Sequence, residues 1–458
     1  MAPPDLLLWS LRGLTAIDPQ ITTEQGEGRV RLSLGDRLVL QRALPVPPQR
    51  APPTVLAAQM AEELSQFEQA AWTVSAPLQA AGAQRVLQSG FEELFNHLDP
   101  YSRYVTAAEA RRARERRVGQ AGLGLRIAAG RAESVVVAAV APGSPAATAG
   151  LRIGDRLLAI DGQPVSANDL SDAAARLEGP EDSEAVLAVQ RGNRRRQLVL
   201  RRSPVPPETV TAERLENLLW LRISGFSNAT DNQVAAALTT GFATEPQPAG
   251  VVLDLRGNRG GLLSQAVAVA ELFLPGGEVA RSGGRHPESR RIYIGSGPDL
   301  AEGRPVVVLV DGRSASAAEI VAGALADRRR AAAVGSVTQG KGLIQLVYPL
   351  PNGAELLLSW SRVLMPSGWP IQGVGVLPGL CTSLGAETMA SQLAALRSGA
   401  RPMGAALARE RALRPPVPDA EVAALRATCP PAEGREADRA AARALLEDST
   451  AWRSALPP

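Results

Sequence analysis

Two short runs rich in valine and leucine, Val251–Leu255 and Val306–Val310, constrain this chain more than any other feature. Each is too short for a helix and lacks the alternation of a half-exposed strand, so each is expected to be a buried parallel strand. Each leads through a glycine-containing turn into an apolar helical stretch. Strand, turn and helix repeated in that order is βαβ grammar, which implies a crossover sheet with its ligand site at the C-terminal strand ends. The expected fold class is therefore α/β and multidomain, with a crossover core over residues 204–380.

The rest of the chain divides around that core. Residues 1–53 pair a hairpin pattern (Val30, Leu32 and Leu34, then Leu38 and Leu40, about Gly35-Asp36) with a proline-rich linker at Pro45–Pro53. Residues 54–118 are expected to be helical and to form the N-terminal part of the core. Residues 119–203 alternate short strands with two short helices, opening on Gly122-Leu123-Gly124-Leu125. Residues 381–458 form an alanine-rich helical extension with a proline-bearing break at Pro415–Pro418.

Composition excludes several classes. Hydrophobic residues make up 45% and charged residues 21%, as in an ordinary globular protein. No apolar run is long enough for a membrane span, and the N-terminus lacks the basic region and long apolar core of a signal peptide. The arginine clusters Arg111–Arg117, Arg194–Arg196 and Arg328–Arg330 have little aromatic interleaving, which argues against nucleic-acid binding. Cys381 and Cys429 are the only cysteines, and no Cys/His cluster accompanies them, so no metal site and no cofactor is expected. The two are expected either to form one disulfide or to stay as buried free thiols.

One count singles out a residue. Of 49 basic side chains, Lys341 is the only lysine. Arginine does not deprotonate in proteins, whereas a desolvated lysine can lose its proton and act as a base. Lys341 lies between two glycines in Thr338-Gln339-Gly340-Lys341-Gly342, and Gln345 follows four residues later as a candidate to direct the amine. Twenty-five residues upstream of Lys341, Ser316 stands where the strand Val306–Val310 turns into a helix. Ser316 and Glu319 fit a capping box, so the serine is readable as a plain helix cap. The same turn exposes a nucleophile at a helix N-terminus, where the N–H of Ala317 faces a developing oxyanion. Gly260 and Gly261, ending Asp254-Leu255-Arg256-Gly257-Asn258-Arg259-Gly260-Gly261, offer further N–H groups. A histidine base is the rival mechanism, but His97 and His286 have no recognisable partner in the sequence.

Residues 119–203 resemble a PDZ domain, with Gly122, Leu123, Gly124 and Leu125 in the place of the loop that binds a peptide's terminal carboxylate. Together with the segments around Gly260, Ser316 and Lys341, this order resembles the carboxy-terminal processing peptidases (tail-specific proteases), over roughly residues 90–380. Leu98–Ser102, Ala322–Leu325 and Met365–Gly375 carry the resemblance further. It implies a serine endopeptidase with Ser316 as nucleophile, Lys341 as base and Gln345 orienting the lysine. It implies polypeptide substrates recognised by their C-termini, and a periplasmic or envelope location. Arg259 stands where the family has proline, which loosens the turn beside Gly260. Ala318 replaces a serine and Gly379 an aspartate. The alternative is a catalytically inactive peptide-binding adaptor, and the unmatched ends are candidate surfaces for a homo-oligomer.

Overall fold

The computed structural model describes residues 3–44 and 53–458. The chain is mixed α/β and falls into two compact units, Met1–Arg111 with Ile344–Trp360, and Arg112–Leu343 with Ser361–Pro458. The proline-rich linker lies, apart from Pro53, outside the described residues.

In the first unit the expected hairpin is present as Arg29–Leu34 and Arg37–Ala43, joined at Gly35-Asp36. A third strand, Ile21–Gly26, pairs antiparallel with the first of these, and a helix Pro3–Arg12 precedes it. Val30 and Leu32 alternate inward against Leu7, Leu11, Leu14, Phe67 and Leu78. The long helical stretch is three helices, Pro53–Val74, Ala76–Ala81 and Ala83–Asn96. It breaks where the sequence offers stop signals. Ser75 caps the second helix by accepting from the Leu78 N–H, and Gly82 adopts φ +84° ahead of the third.

In the second unit, residues 119–203 form an antiparallel sheet in the order Arg194–Arg201, Glu184–Arg191, Arg156–Ile160, Val135–Val140, Leu125–Ala129. The helix Leu170–Leu177 packs beside the last strand, which is left as a sheet edge. Leu123, Leu157, Ile160, Ala173 and Leu187 form its core. Gln120–Gly122 pairs with Ser203–Val205, clasping the start and end of this module together.

The crossover core is a six-stranded sheet in the order Val210–Leu215, Leu218–Ile223, Gly250–Asp254, Val306–Val310, Ala331–Gly335, Leu380–Cys381. The first two strands are antiparallel and all other pairings are parallel. Gly250–Asp254 and Val306–Val310 are buried at every residue, as their composition requires. The helix Ala317–Asp327 follows Val306–Val310 and buries ten of its eleven residues, which explains its run of alanine and glycine: larger side chains do not fit on every face. Gly323 shows the constraint, since a Cβ there would lie 2.5 Å from Met365 Sδ.

The C-terminal extension is a layer of the core. Leu396, Ala441, Leu445, Ala455 and Leu456 pack on Val252, Val307, Leu309 and Val334. Cys381 and Cys429, both fully buried, are joined by a disulfide across a separation of 48 residues. Closing a loop of that length restricts the unfolded chain by about 4 kcal/mol. Replacing both cysteines with serine is expected to lower stability by about that amount. Urea unfolding measures it, and an unchanged midpoint would show the bond to be dispensable.

Candidate active site

The turn that carries Ser316 is built by one carboxylate. Asp311, at the end of the strand Val306–Val310, accepts from the N–H groups of Arg313, Ser314 and Gly257 through Oδ1 and from Gly434 through Oδ2, all at 2.9–3.0 Å. The Ser314 hydroxyl donates to the Leu255 carbonyl at 2.8 Å, tying this turn to the neighbouring strand end. Ser316 then sits at φ +57°, ψ −116°. An ordinary N-cap has extended backbone, and holding a non-glycine residue in this region costs about 1–3 kcal/mol. The surrounding bonds maintain it, and the half-buried side chain stands at the turn with Ala315 and Ala317 buried on either side.

Glu319 connects this turn to Lys341. Its carboxylate is fully buried, and Oε2 accepts from the N–H of Ser316 and of Lys341, each at 2.8 Å. Oε1 accepts from the Gly340 N–H at 2.6 Å and from the Thr338 hydroxyl. Candidate nucleophile and candidate base therefore hang by their backbones from one oxygen atom. Burial pushes the Glu319 carboxyl above its ordinary range, against the four hydrogen bonds that favour the charged form. Arg426, in the C-terminal extension, donates to the Thr338 and Val374 carbonyls behind this loop. Burial draws its guanidinium downward against the attraction of Glu319.

The glycines flanking Lys341 are sites of close approach. A Cβ on Gly340 would meet the Gly373 carbonyl at 2.9 Å, and one on Gly342 would meet the Gln372 nitrogen at 2.4 Å. The Gly373 N–H donates to the Gly340 carbonyl at 2.9 Å, and the Gly342 N–H to Gln372 Oε1 at 2.9 Å. Gln339 is bonded to the Ser314 carbonyl. The loop that presents Lys341 is thus fixed on both sides.

The third segment meets Ser316 directly. A Cβ on Gly260, which has φ +93°, would lie 2.8 Å from Ser316 Cβ and from the Ala315 carbonyl. Asn258 is wholly buried: its amide donates to the Ile223 carbonyl at 2.8 Å, its Oδ1 accepts from the Gly260 N–H at 2.8 Å, and its carbonyl accepts from Ala315. This Asx turn keeps the segment in shape without proline. Arg259 is exposed at its tip, and the turn is formed with arginine in the place of proline. The Gly260 N–H is already used by Asn258, which narrows the expected pair of glycine donors to Gly261. The Ala317 N–H, first of its helix, has no acceptor within the helix.

Gln345 belongs to the first unit, where its Nε2 donates to the Tyr101 carbonyl at 2.6 Å. Tyr101 lies in a turn organised by Asp99, which accepts from the Tyr101 and Ser102 N–H groups and from the Ser102 and Ser359 hydroxyls. Burial raises the Asp99 carboxyl, but these bonds outweigh it and hold the group below the usual carboxylate range. His97 stacks on Trp9 at 4.5 Å, and His286 accepts from the Glu288 N–H in an exposed loop. Among the described residues no cluster of metal-ligating side chains occurs, and no helix is long and apolar enough to cross a membrane.

In the Gly122–Leu125 loop, the Leu123 and Gly124 carbonyls accept from Ala146 and Ala141 at 3.0 and 2.9 Å. Because a trans peptide sets N–H opposite C=O, the N–H groups of Gly124 and Leu125 face away from those partners, beside the open edge of Leu125–Ala129.

The chain is similar in sequence to known proteins. The family model described as peptidase family S41 matches residues 217–380, and one for the PDZ domain matches residues 136–191. The carboxy-terminal-processing protease of Bartonella bacilliformis is 33% identical over 302 residues, covering 64% of this chain and 69% of that protein. The carboxyl-terminal-processing protease of Synechocystis is 34% identical over 302 residues, covering 63% and 69%. The solved photosystem II D1 C-terminal processing protease superposes with a TM-score of 0.40 at 25% identity, covering 84% of this chain and 96% of that one.

Proposed function

The chain belongs to the carboxy-terminal-processing peptidases of family S41, and on that premise we propose that it hydrolyses polypeptides with a Ser316–Lys341 dyad. The observation that supports this is the single Glu319 oxygen that accepts from both backbones. The neutral Lys341 amine takes the Ser316 Oγ proton as the oxygen attacks the peptide carbonyl. The N–H groups of Ala317 and Gly261 receive the oxyanion. The lysine ammonium then gives its proton to the departing amine nitrogen, the C–N bond breaks, and an acyl ester on Ser316 remains. A water molecule, its proton taken by Lys341, attacks that ester; the C–Oγ bond breaks, the lysine ammonium returns the proton to Ser316 Oγ, and the acid leaves. Gln345 is the orienting residue on the family's four-residue spacing, with its side chain held from Tyr101.

The PDZ module captures the substrate's C-terminus or gates the site. The carboxylate would be received by the N–H groups of the Gly122–Leu125 loop, and the substrate strand would add to the edge of Leu125–Ala129. An oxidising compartment, periplasm or envelope, suits the buried disulfide.

The test uses the full chain, an unstructured polypeptide with a free apolar C-terminus, and a fluorophosphonate that phosphonylates active serines. Cutting of the polypeptide, its suppression by the reagent, and adduct mass on Ser316 are the expected results. No cutting, or cutting that survives complete labelling, would sink the reading. Amidating the substrate's C-terminus is expected to slow cleavage if the PDZ loop reads the carboxylate.

A further inference from the structure

In the second unit the strand Gly277–Gly283 pairs antiparallel with Arg291–Gly295 on one side and with Arg362–Leu364 on the other. Residues directly opposite one another share a sheet face. Arg281 is opposite both Ile292 and Leu364, and Gly283 is opposite Arg362. Continuing the register by one residue sets Arg290 across from Gly283 on the other side. Two arginines therefore flank a position that has no side chain, separated by two strand spacings, about 10 Å. A Cβ built on Gly283 meets nothing within 4 Å, so the floor is open.

The result is an open groove of about 660 Å³ lined by Arg281, Arg285, Arg290, Arg291 and Arg362, with Ile292 61% exposed in its wall. No acidic residue lines it. Arg281 is matched by Glu278. Among the described residues Arg285, Arg290, Arg291 and Arg362 have no ion-pair partner. Converging, unneutralised guanidinium groups repel one another and attract an anion. Guanidinium matches carboxylate geometry in particular, and an exposed isoleucine beside it favours a partner that also carries apolar groups.

The groove adjoins the site. Val363, next to Arg362, donates its N–H to the Gly342 carbonyl at 2.7 Å, and Gly342 follows Lys341. The strand that carries Arg362 is thereby bonded to the loop that carries Lys341. We propose that the arginine groove is a docking subsite for an acidic segment of the polypeptide substrate, close in sequence to the scissile bond. This rests on the peptidase reading above. It makes the enzyme selective for an Asp/Glu-bearing stretch beside the cut, a preference additional to whatever the PDZ module reads at the terminus.

The test compares two unstructured polypeptides with the same apolar tail, one carrying an Asp/Glu block near the cut and one a Gln/Asn block. Wild type is expected to cleave the acidic one with a kcat/KM about tenfold higher at low salt, and the advantage should shrink at 0.5 M salt. The Arg290→Glu/Arg362→Glu variant is expected to lose that advantage and to cut the neutral polypeptide at the wild-type rate. Equal rates for both substrates in wild type, or equal loss on both in the variant, would overturn the proposal. If wild type cleaves neither, the peptidase reading fails by itself. Docking is then judged by fluorescence anisotropy of the same polypeptides on Ser316→Ala, where equal affinities overturn it. Co-sedimentation with anionic phospholipid vesicles that needs both arginines, with no preference between polypeptides, would overturn it in favour of a lipid surface.

Discussion

Exchanging Lys341 for arginine is expected to reduce peptide hydrolysis by at least ~10⁴-fold while leaving the fold intact. Arginine reaches about as far as lysine but stays charged at every pH, so the exchange removes the neutral amine that takes the proton. The backbone at this position is held by Glu319 through its N–H and by the flanking glycines against Gln372 and Gly373. None of those contacts involves the side chain that changes. Thermal unfolding should therefore move little. Combining Lys341→Arg with Ser316→Ala should be no worse than either alone, because residues that act as one unit lose their contribution together. Activity within tenfold of wild type would remove Lys341 from the chemistry, however well its loop is built.

Glu319→Ala is the second large effect, and it should be felt in two measurements. Removing the carboxylate leaves the N–H groups of Ser316, Gly340 and Lys341 and the Thr338 hydroxyl without their acceptor in a fully buried place. Each unsatisfied buried donor costs about 1–3 kcal/mol, offset in part by no longer burying a charge. A net loss of about 3–5 kcal/mol is expected, read by urea unfolding. Among molecules still folded, kcat should fall about 10²–10³-fold with KM nearly unchanged, because Glu319 positions the two loops and touches no substrate. Glu319→Gln separates the roles. Its single oxygen can serve Ser316 and Lys341 only if its amide is turned toward Gly340, which has another N–H. This variant should be destabilised yet retain more turnover than alanine. If Glu319→Ala unfolds outright while Glu319→Gln matches wild type in kcat, the carboxylate is structural and no more.

Much of this site was legible because the local signals were strong. The buried strands announced themselves by lacking alternation, and Lys341 by being the only one of its kind between two glycines. The role of Glu319 was half legible. A serine and a glutamate three residues apart read as a helix cap, and Glu319 does accept from the Ser316 N–H. Its bonds to Thr338, Gly340 and Lys341 span about twenty residues, and no local pattern encodes them. Asn258 escaped for a related reason: the missing proline at position 259 drew attention, whereas the shape of that turn is maintained by a buried amide one residue earlier. The N-terminal helix and the strand Ile21–Gly26 gave little periodic signal. The alanine-rich tail suggested helices without saying where they pack, since small side chains make a weak apolar stripe.

That tail has a consequence for when the molecule becomes competent. The Asp311 carboxylate that shapes the Ser316 turn also receives Gly434, Ser336 is bonded to Ala432, and Arg426 braces the Thr338 loop. Arg256, beside the Gly260 turn, reaches Asp438. All of these partners follow the core strands in sequence. A nascent chain that has already folded its strands around Ser316 and Lys341 still lacks them until residues 426–438 have left the ribosome. Until then the turns that carry Ser316 and Gly260 are without those braces.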